Sequence, residues 1–507
     1  MSISRQLFKN ILTSWAAYGI RLALGFLFVP YIATVFGSER YGVWVIIFQA
    51  ISYLTLFDFG LERAVIRFVA KYYAQRDEEA IRRTLATSQG IFLLLAPLVL
   101  IALIVVAMVL FDWLKVTDDS LRTEGQIALI IIGALLATRF ALGAINHALA
   151  GFQRFDITNS LDIGEEILRF GSMALLLYLG YGMIGLAIAI LGVNLLRIAG
   201  GWFALRKIAP RLDWDPRKFD RERFRELFRY SKMSFGITLA WLVIFNSDAI
   251  LLGMISSAAA AGIYAPAAQL MLYMRHVVNG IGIPLTPAIS HLEARGQDQG
   301  VVRTYLTGLK YVSFISFFLA TGVILYAKPF VALWLPAEFV ETGEVMIILA
   351  VGSAVFLPQI IGNSILFGIE RHRYLFYVLV CEVLLKIGLS LVLIGPFGPR
   401  GMAIAAAVPQ VILYLTLYPY FMSKVLGYPM EAMLGVSARS GTIALAATTV
   451  VGLPLRLLFP PESWGPFALD ILITTAVALL VGWSVVMDPA DKQRIVTAIK
   501  GRLPRRG

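Results

Sequence analysis

Cysteine occurs once in the 507 residues, at Cys381, and histidine four times. One cysteine makes neither an intramolecular disulfide nor a Cys-rich metal site. His147 and His276 lack a second histidine at metal-ligand spacing and read as satisfied polar groups, so no metal and no cofactor are expected. Charge is also scarce: 15% of residues are charged and 59% are hydrophobic, with a mean hydropathy of +0.77. Soluble domains run at about 25% charged and about 45–50% apolar. Such an excess cannot be hidden in one soluble core, which leaves a polytopic membrane protein. Catalytic signatures are missing too. There is no Gly-x-x-x-x-Gly-Lys-[Ser/Thr] loop, no His-Glu-x-x-His and no Gly-x-Ser-x-Gly. The chain does not read as an enzyme.

What is present is duplicated. Asn146, Gly151, Arg154, Glu165, Arg169 and Gly171 recur, at an offset of 217 in the numbering, as Asn363, Gly368, Arg371, Glu382, Lys386 and Gly388. Both copies hold Glu-x-x-Leu-basic-x-Gly, EEILRFG at 165–171 and EVLLKIG at 382–388. GMIGLAIA (182–189) is echoed by GPRGMAIA (398–405), one residue out of step. Two related halves and a tail follow.

Apolar stretches of span length fall at about 11–35, 41–64, 85–111, 125–149, 158–179, 182–205, 232–255, 258–290, 305–327, 343–367, 373–395, 400–422, 435–458 and 466–487. The first is too long for a signal-peptide core and reads as a retained span. With the N-terminus inside and the spans alternating, 30 of the 44 Lys and Arg lie on the inner side and 6 on the outer. That split predicts cytoplasmic termini. It also accounts for the net charge of +12 without nucleic acid. The expected fold is therefore all-α and integral to the membrane. It has about 14 transmembrane helices, in two parallel six-helix repeats around a central cavity, plus a C-terminal helix pair. The divisions are an N-terminal lobe (1–205), a basic cytoplasmic linker (206–231), a C-terminal lobe (232–424), and an extra helix pair with a basic tail (425–507). Phe224, Leu227 and Phe228 share one helical face near Arg221 and Arg225, which suits anionic membrane lipids.

Charges within spans are costly and mark function. The basic candidates are Arg21, Arg139, Arg169, Arg197, Arg275 and Lys386. Arg21 lies about ten residues into its helix, about 15 Å along the axis. Neither Arg21 nor Arg275 has an acid three or four residues away, which favours a cavity-facing role. Glu165–Arg169 and Glu382–Lys386 are spaced to pair along one helix face and read as structural pairs. Asp248 and Asp58 are the candidates for ion coupling or gating; for Asp248, pairing with an arginine fits equally.

The segments 10–44 (NILTSWAAYGIRLALGFLFVPYIATVFGSERYGVW) and 54–72 (LTLFDFGLERAVIRFVAKY) resemble the start of polysaccharide flippases. Those belong to the superfamily that also holds multidrug antiporters and the lipid II flippase. The marks are Pro30, Gly37 with Tyr41-Gly42, Asp58-x-Gly60, GFQRFDITN (151–159) and GIYAPA (262–267). The resemblance implies a polyprenyl-pyrophosphate-linked oligosaccharide moved from inner to outer leaflet of a bacterial inner membrane by alternating access. It also implies companion polymerases and glycosyltransferases of surface polysaccharide synthesis, lipopolysaccharide or exopolysaccharide. By helix and depth, Arg21 and Arg275 match cavity arginines of lipid II flippases. Arginine suits this ligand because its planar fork binds phosphate oxygens bidentately. Two alternatives stand beside it. A multidrug or cation antiporter should have an acidic cavity. A membrane-embedded polymerase or glycosyltransferase should have a larger outer loop than the stretch 327–343, the longest here.

Overall fold

The computed structural model describes residues 3–116, 118–210, 212, 214–282 and 285–500, with side chains from Gly19 onward apart from short stretches. Arg211 of the basic linker and residues 501–507 of the basic tail lie outside it. The described residues are helical almost throughout, and they contain no strand. They group into two compact units, 1–262 and 263–507.

In the first unit run α1 (Ile3–Leu54), α2 (Leu61–Gln75), α3 (Glu78–Trp113), α4 (Asp119–Leu142), α5 (Ala144–Gly151), α6 (Phe155–Tyr178), α7 (Gly182–Ile208), α8 (Arg221–Asn246) and α9 (Asp248–Ile255). α10 (Ala258–Gly282) begins in it. The second unit holds the rest of α10, α11 (Leu285–Ala294), α12 (Asp298–Trp334), α13 (Thr342–Phe356), α14 (Ile360–Gly368), α15 (Arg373–Leu415), α16 (Leu417–Leu426), α17 (Met430–Leu458), α18 (Trp464–Val481) and α19 (Pro489–Lys500). Among the described residues nine helices are long and apolar enough to cross a membrane, or ten with the bent pair α8–α9. Two of the nine hold two spans each. α1 breaks at Gly37 (φ 68°, ψ 176°) and α15 at Gly398 (φ 53°, ψ −129°), conformations that an L side chain resists. Shorter or more charged helices, α6 and α10, carry the remainder, and the described residues of the fourteen apolar segments are almost all helical, several segments running over two consecutive helices such as α4 and α5 or α13 and α14. Large apolar side chains such as Leu94, Ile101, Leu384, Val392 and Leu472 stand exposed. In water that would be prohibitive; in a bilayer it is the required surface. The chain is a multi-pass membrane protein.

Helix starts follow local chemistry. Asp77, Asp118 and Asp220 cap α3, α4 and α8, each accepting a backbone N–H of the first turn, which also places negative charge at the positive helix end.

The backbone repeats as the sequence does. Gln153 (φ 57°) and Glu370 (φ 55°), related by the same offset of 217, both adopt the left-handed conformation. So do Arg76 and Gly296, at an offset of 220, directly before α3 and α12. In the first unit α4 packs on α3 and α7, and α2 on α5; in the second, α13 packs on α12 and α15, and α11 on α14. The added helix α17 lies along α12, with α18 against α17.

Candidate functional site

Four helices of the first unit, α1, α4, α5 and α7, bring polar residues to α6. Glu165 and Glu166 are consecutive there and point to different partners. Glu166 Oε1 accepts from Arg21 Nε of α1 at 2.8 Å, and its other oxygen accepts from Arg169 Nη2, one turn on. Glu165 Oε1 accepts from Arg139 Nη2 of α4 at 2.9 Å, and Oε2 pairs with Arg197 Nε of α7 at 2.9 Å. Arg197 reaches Asp162 Oδ1 at 2.6 Å and Asn146 Oδ1 at 2.9 Å, while Arg139 Nε donates to Asn194 Oδ1 at 2.8 Å. Four arginines thus meet three carboxylates.

Burial is unequal within this cluster. The Glu166 side chain is 6% exposed, whereas that of Arg21 is 55% and that of Arg139 is 49%. Glu165 and Glu166 are sunken, and Arg21 and Arg139 keep donor edges open beside them; Arg197 is itself largely covered, its side chain 15% exposed. A buried carboxylate is tolerated only with such partners, so carboxylates and cations depend on each other.

Two expectations change here. Arg169 donates to Glu166, three residues back, while Glu165 is held by Arg139 and Arg197. Glu165 and Arg169 are therefore not the mutual pair that their spacing suggested. The cause is that four-residue spacing allows a contact but neighbouring helices offered Glu165 two better-placed donors. Arg21, which has no acid nearby on its own helix, has one across the helix interface. Sequence reading also passed over Asp162, although it sits one turn before Glu165 and Glu166 on the same helix, a visible signal.

The corresponding place in the second unit is built differently. Glu382 and Lys386 of α15 are 1% and 2% exposed. Tyr414 donates its hydroxyl to Glu382 Oε2 at 3.0 Å and stacks edge-on against Phe356. By the repeat offset Phe356 is the counterpart of Arg139, so an aromatic ring replaces a cation. Lys386, and Arg275 of α10, lie close enough for their charges to act on Glu382. Asn363, the counterpart of Asn146, accepts from Tyr418 at 2.9 Å.

Arg139 also lines a cavity of about 620 Å³ in the first unit, together with Asp58, Glu62, Arg63, His147 and Thr238. His147 Nε2 is 3.9 Å from Glu62 Oε1. Asp58 Oδ1 accepts from the Glu62 N–H at 3.1 Å across the turn at Phe59 and Gly60, whose φ of 76° explains the glycine of Asp58-x-Gly60. Asp248 is buried at the bend between α8 and α9, a 49° break. The freed N–H of Ala249 there is taken by Gln49 Oε1 at 2.8 Å. Among the described residues no group of three His, Cys, Asp or Glu is arranged to hold a metal ion.

The comparisons with known proteins agree with this architecture. The chain is 22% identical over 490 residues to the uncharacterized membrane protein EpsK of Bacillus subtilis (strain 168), covering 94% of each chain. A solved structure of the lipid II flippase MurJ in an inward closed conformation superposes with a TM-score of 0.70 at 17% identity, over 93% of this chain and 98% of that one. An inward-facing multidrug resistance MATE family transporter of the MOP superfamily superposes with a TM-score of 0.64 at 14% identity, over 83% and 95%. At these identities the solved structures establish the fold. The family described as polysaccharide biosynthesis protein matches residues 7–293, more than half of the sequence. With the helical fold already in view, that match settles the family: the chain belongs to the polysaccharide biosynthesis protein family.

Proposed function

We propose that this protein is a flippase that carries a polyprenyl-pyrophosphate-linked oligosaccharide from the inner to the outer leaflet by alternating access. The observation that carries the proposal is the set Arg21, Arg139, Arg169 and Arg197 held on Glu165, Glu166 and Asp162. Four cations on three anions leave one positive charge in excess, and Arg21 and Arg139 are the most exposed members. A dianionic head group gains charge-assisted hydrogen bonds from such forks, and the polar glycan gains the hydrated cavity beside Arg139. The family's description and the fold shared with the lipid II flippase support the same substrate class. In the second repeat Arg275 and Lys386 are the proposed cationic contacts, with Asp248 and Asp58 as candidates for ion coupling or gating. The moving lobes are the repeats 1–205 and 232–424, with the linker 206–231 and the basic tail on the cytoplasmic side. Anionic lipids would hold the linker, where Phe219, Phe224 and Phe228 stack in a row beside exposed Arg221 and Arg225.

A cation antiporter shares the fold, but its cargo would meet arginines first. The test is Arg21→Ala and Arg139→Ala in cells that depend on this protein for surface glycan. Loss of glycan with the protein retained in the membrane is expected; normal display by both variants would overturn the assignment.

A further inference from the structure

The two elbows of the first unit touch through glycine. One elbow is the break in α1 at Gly37; the other is the Ser256–Ser257 turn that joins α9 to α10. A Cβ added to Gly42 would lie 1.8 Å from the Ala258 carbonyl oxygen and 2.8 Å from the Gly262 nitrogen. A Cβ added to Gly262 would lie 2.0 Å from the Ser38 carbonyl oxygen and 3.1 Å from the Gly42 nitrogen. Each contact is the other with its partners exchanged. Gly42 and Gly262 are related by an offset of 220 in the numbering, and so are Ser38 and Ala258. That is the same offset which relates Arg76 to Gly296 and the starts of α3 and α12. The elbows are therefore repeat-related, and they meet about a local two-fold axis with backbone against backbone. An isologous contact of this kind closes on itself.

Polar bonds brace the same place. Lys115 Nζ donates to the Ile255 carbonyl at the end of α9, and the Lys115 N–H donates to Gly253 O at 3.0 Å. Arg40, two residues before Gly42, is held by Glu124 at 2.7 Å. Gly253 leaves room for Ile46 and Leu114, each of which a Cβ would approach within 3 Å. The charge distribution assigns this end to the outer side, since Arg40 and Lys115 lie there.

We propose that the Gly42–Gly262 handshake is the outer gate of the protein, and that the two glycines set how far it closes. This rests on the transporter reading above. At the two glycines themselves backbone meets backbone, and the added Cβ atoms meet carbonyl oxygens first. A methyl group at either glycine collides with a carbonyl, which has no rotamer to escape into. Either substitution should hold the elbows apart and bias the protein toward an outward-open state.

The test uses the full-length protein with Cys381→Ser and two reporters: Ala261→Cys, buried beside the contact, and Thr238→Cys, in the cavity. A membrane-impermeant maleimide is applied from outside for the first and to inverted vesicles for the second. Gly42→Ala and Gly262→Ala should each raise outer labelling several-fold and lower inner labelling, to a similar extent. Lys115→Ala, which disturbs no glycine, should shift both in the same directions by less. Unchanged labelling in all three variants, or a rise at both reporters together, would overturn the gate. The labelling needs no substrate. A shifted pattern with no flipping of any glycolipid would therefore sink the substrate reading alone.

Discussion

Glu165 and Glu166 stand side by side on α6 yet serve different arginines, and their energetic weight differs from that of the cations they hold. Glu165 is largely covered, its side chain 11% exposed, and Glu165→Ala would leave Arg139 without an acid and Arg197 with Asp162 alone. Loss of one member of a fully buried pair costs about 3–5 kcal/mol, and of a partly covered one less. Arg21 is more than half exposed, and its buried partner Glu166 keeps Arg169 when Arg21 is removed. Thermal unfolding in detergent should therefore show a larger loss of stability for Glu165→Ala, which deprives two arginines, than for Arg21→Ala. Both should fail to display glycan. Equal destabilisation by the two would mean that Arg21 is structural rather than a ligand contact. Arg21, Arg139, Arg169 and Arg197 were legible from their depth in apolar segments, because a charge there needs a reason. Their partners across helices were not. Pairing on one helix follows from spacing, whereas contact across helices depends on how those helices are rotated and crossed.

Helix ends and turns carry the next level. Glu124 Oε1 accepts the Met183 N–H at 2.7 Å while its other oxygen holds Arg40, so it ties the start of α7 to α1 and α4. Its counterpart in the second repeat, Glu341, holds Arg400 at 2.9 Å, just past the break at Gly398. Sequence reading overlooked this duplicated anchor because its acids lie at loop edges, where an acid needs no explanation. Glu124→Ala should speed amide exchange at 180–186, and Glu341→Ala at 397–403, each leaving the other turn protected. Asp118 caps α4 from outside the spans. The Ser120 hydroxyl and N–H donate to its carboxylate and hold it below the usual carboxylate range. A carboxylate whose pKa is lowered by folding stabilises above its unfolded value, about 3.9, and loses that contribution as pH falls through the folded value. Exchange in the first turn of α4, corrected for its intrinsic pH dependence, should stay flat down to about pH 4 and rise below it. Asp118→Asn should abolish that dependence; an unaltered profile would refute the cap's role.

At the scale of the molecule, duplication explains most of what was readable in advance. Fourteen apolar segments, two six-span repeats and an added pair all follow from hydropathy and an offset of 217, because lipid enforces helices of span length. The breaks were legible too: the gaps between 35 and 41 and between 395 and 400 bracket Gly37 and Gly398, where α1 and α15 each divide into two spans. The repeats also diverge where chemistry is needed. The first repeat surrounds its glutamates with four arginines, while the second sets Glu382 against the Tyr414 hydroxyl, with Lys386 and Arg275 close enough for their charges to act on it. The most direct measurement of the central claim is leaflet-resolved flipping of a polyprenyl-pyrophosphate oligosaccharide in proteoliposomes of purified protein. The account predicts flipping that exceeds protein-free vesicles and is lost in Arg21→Ala and Arg139→Ala. Flipping at the protein-free rate by intact protein, or equal flipping by both variants, would contradict it.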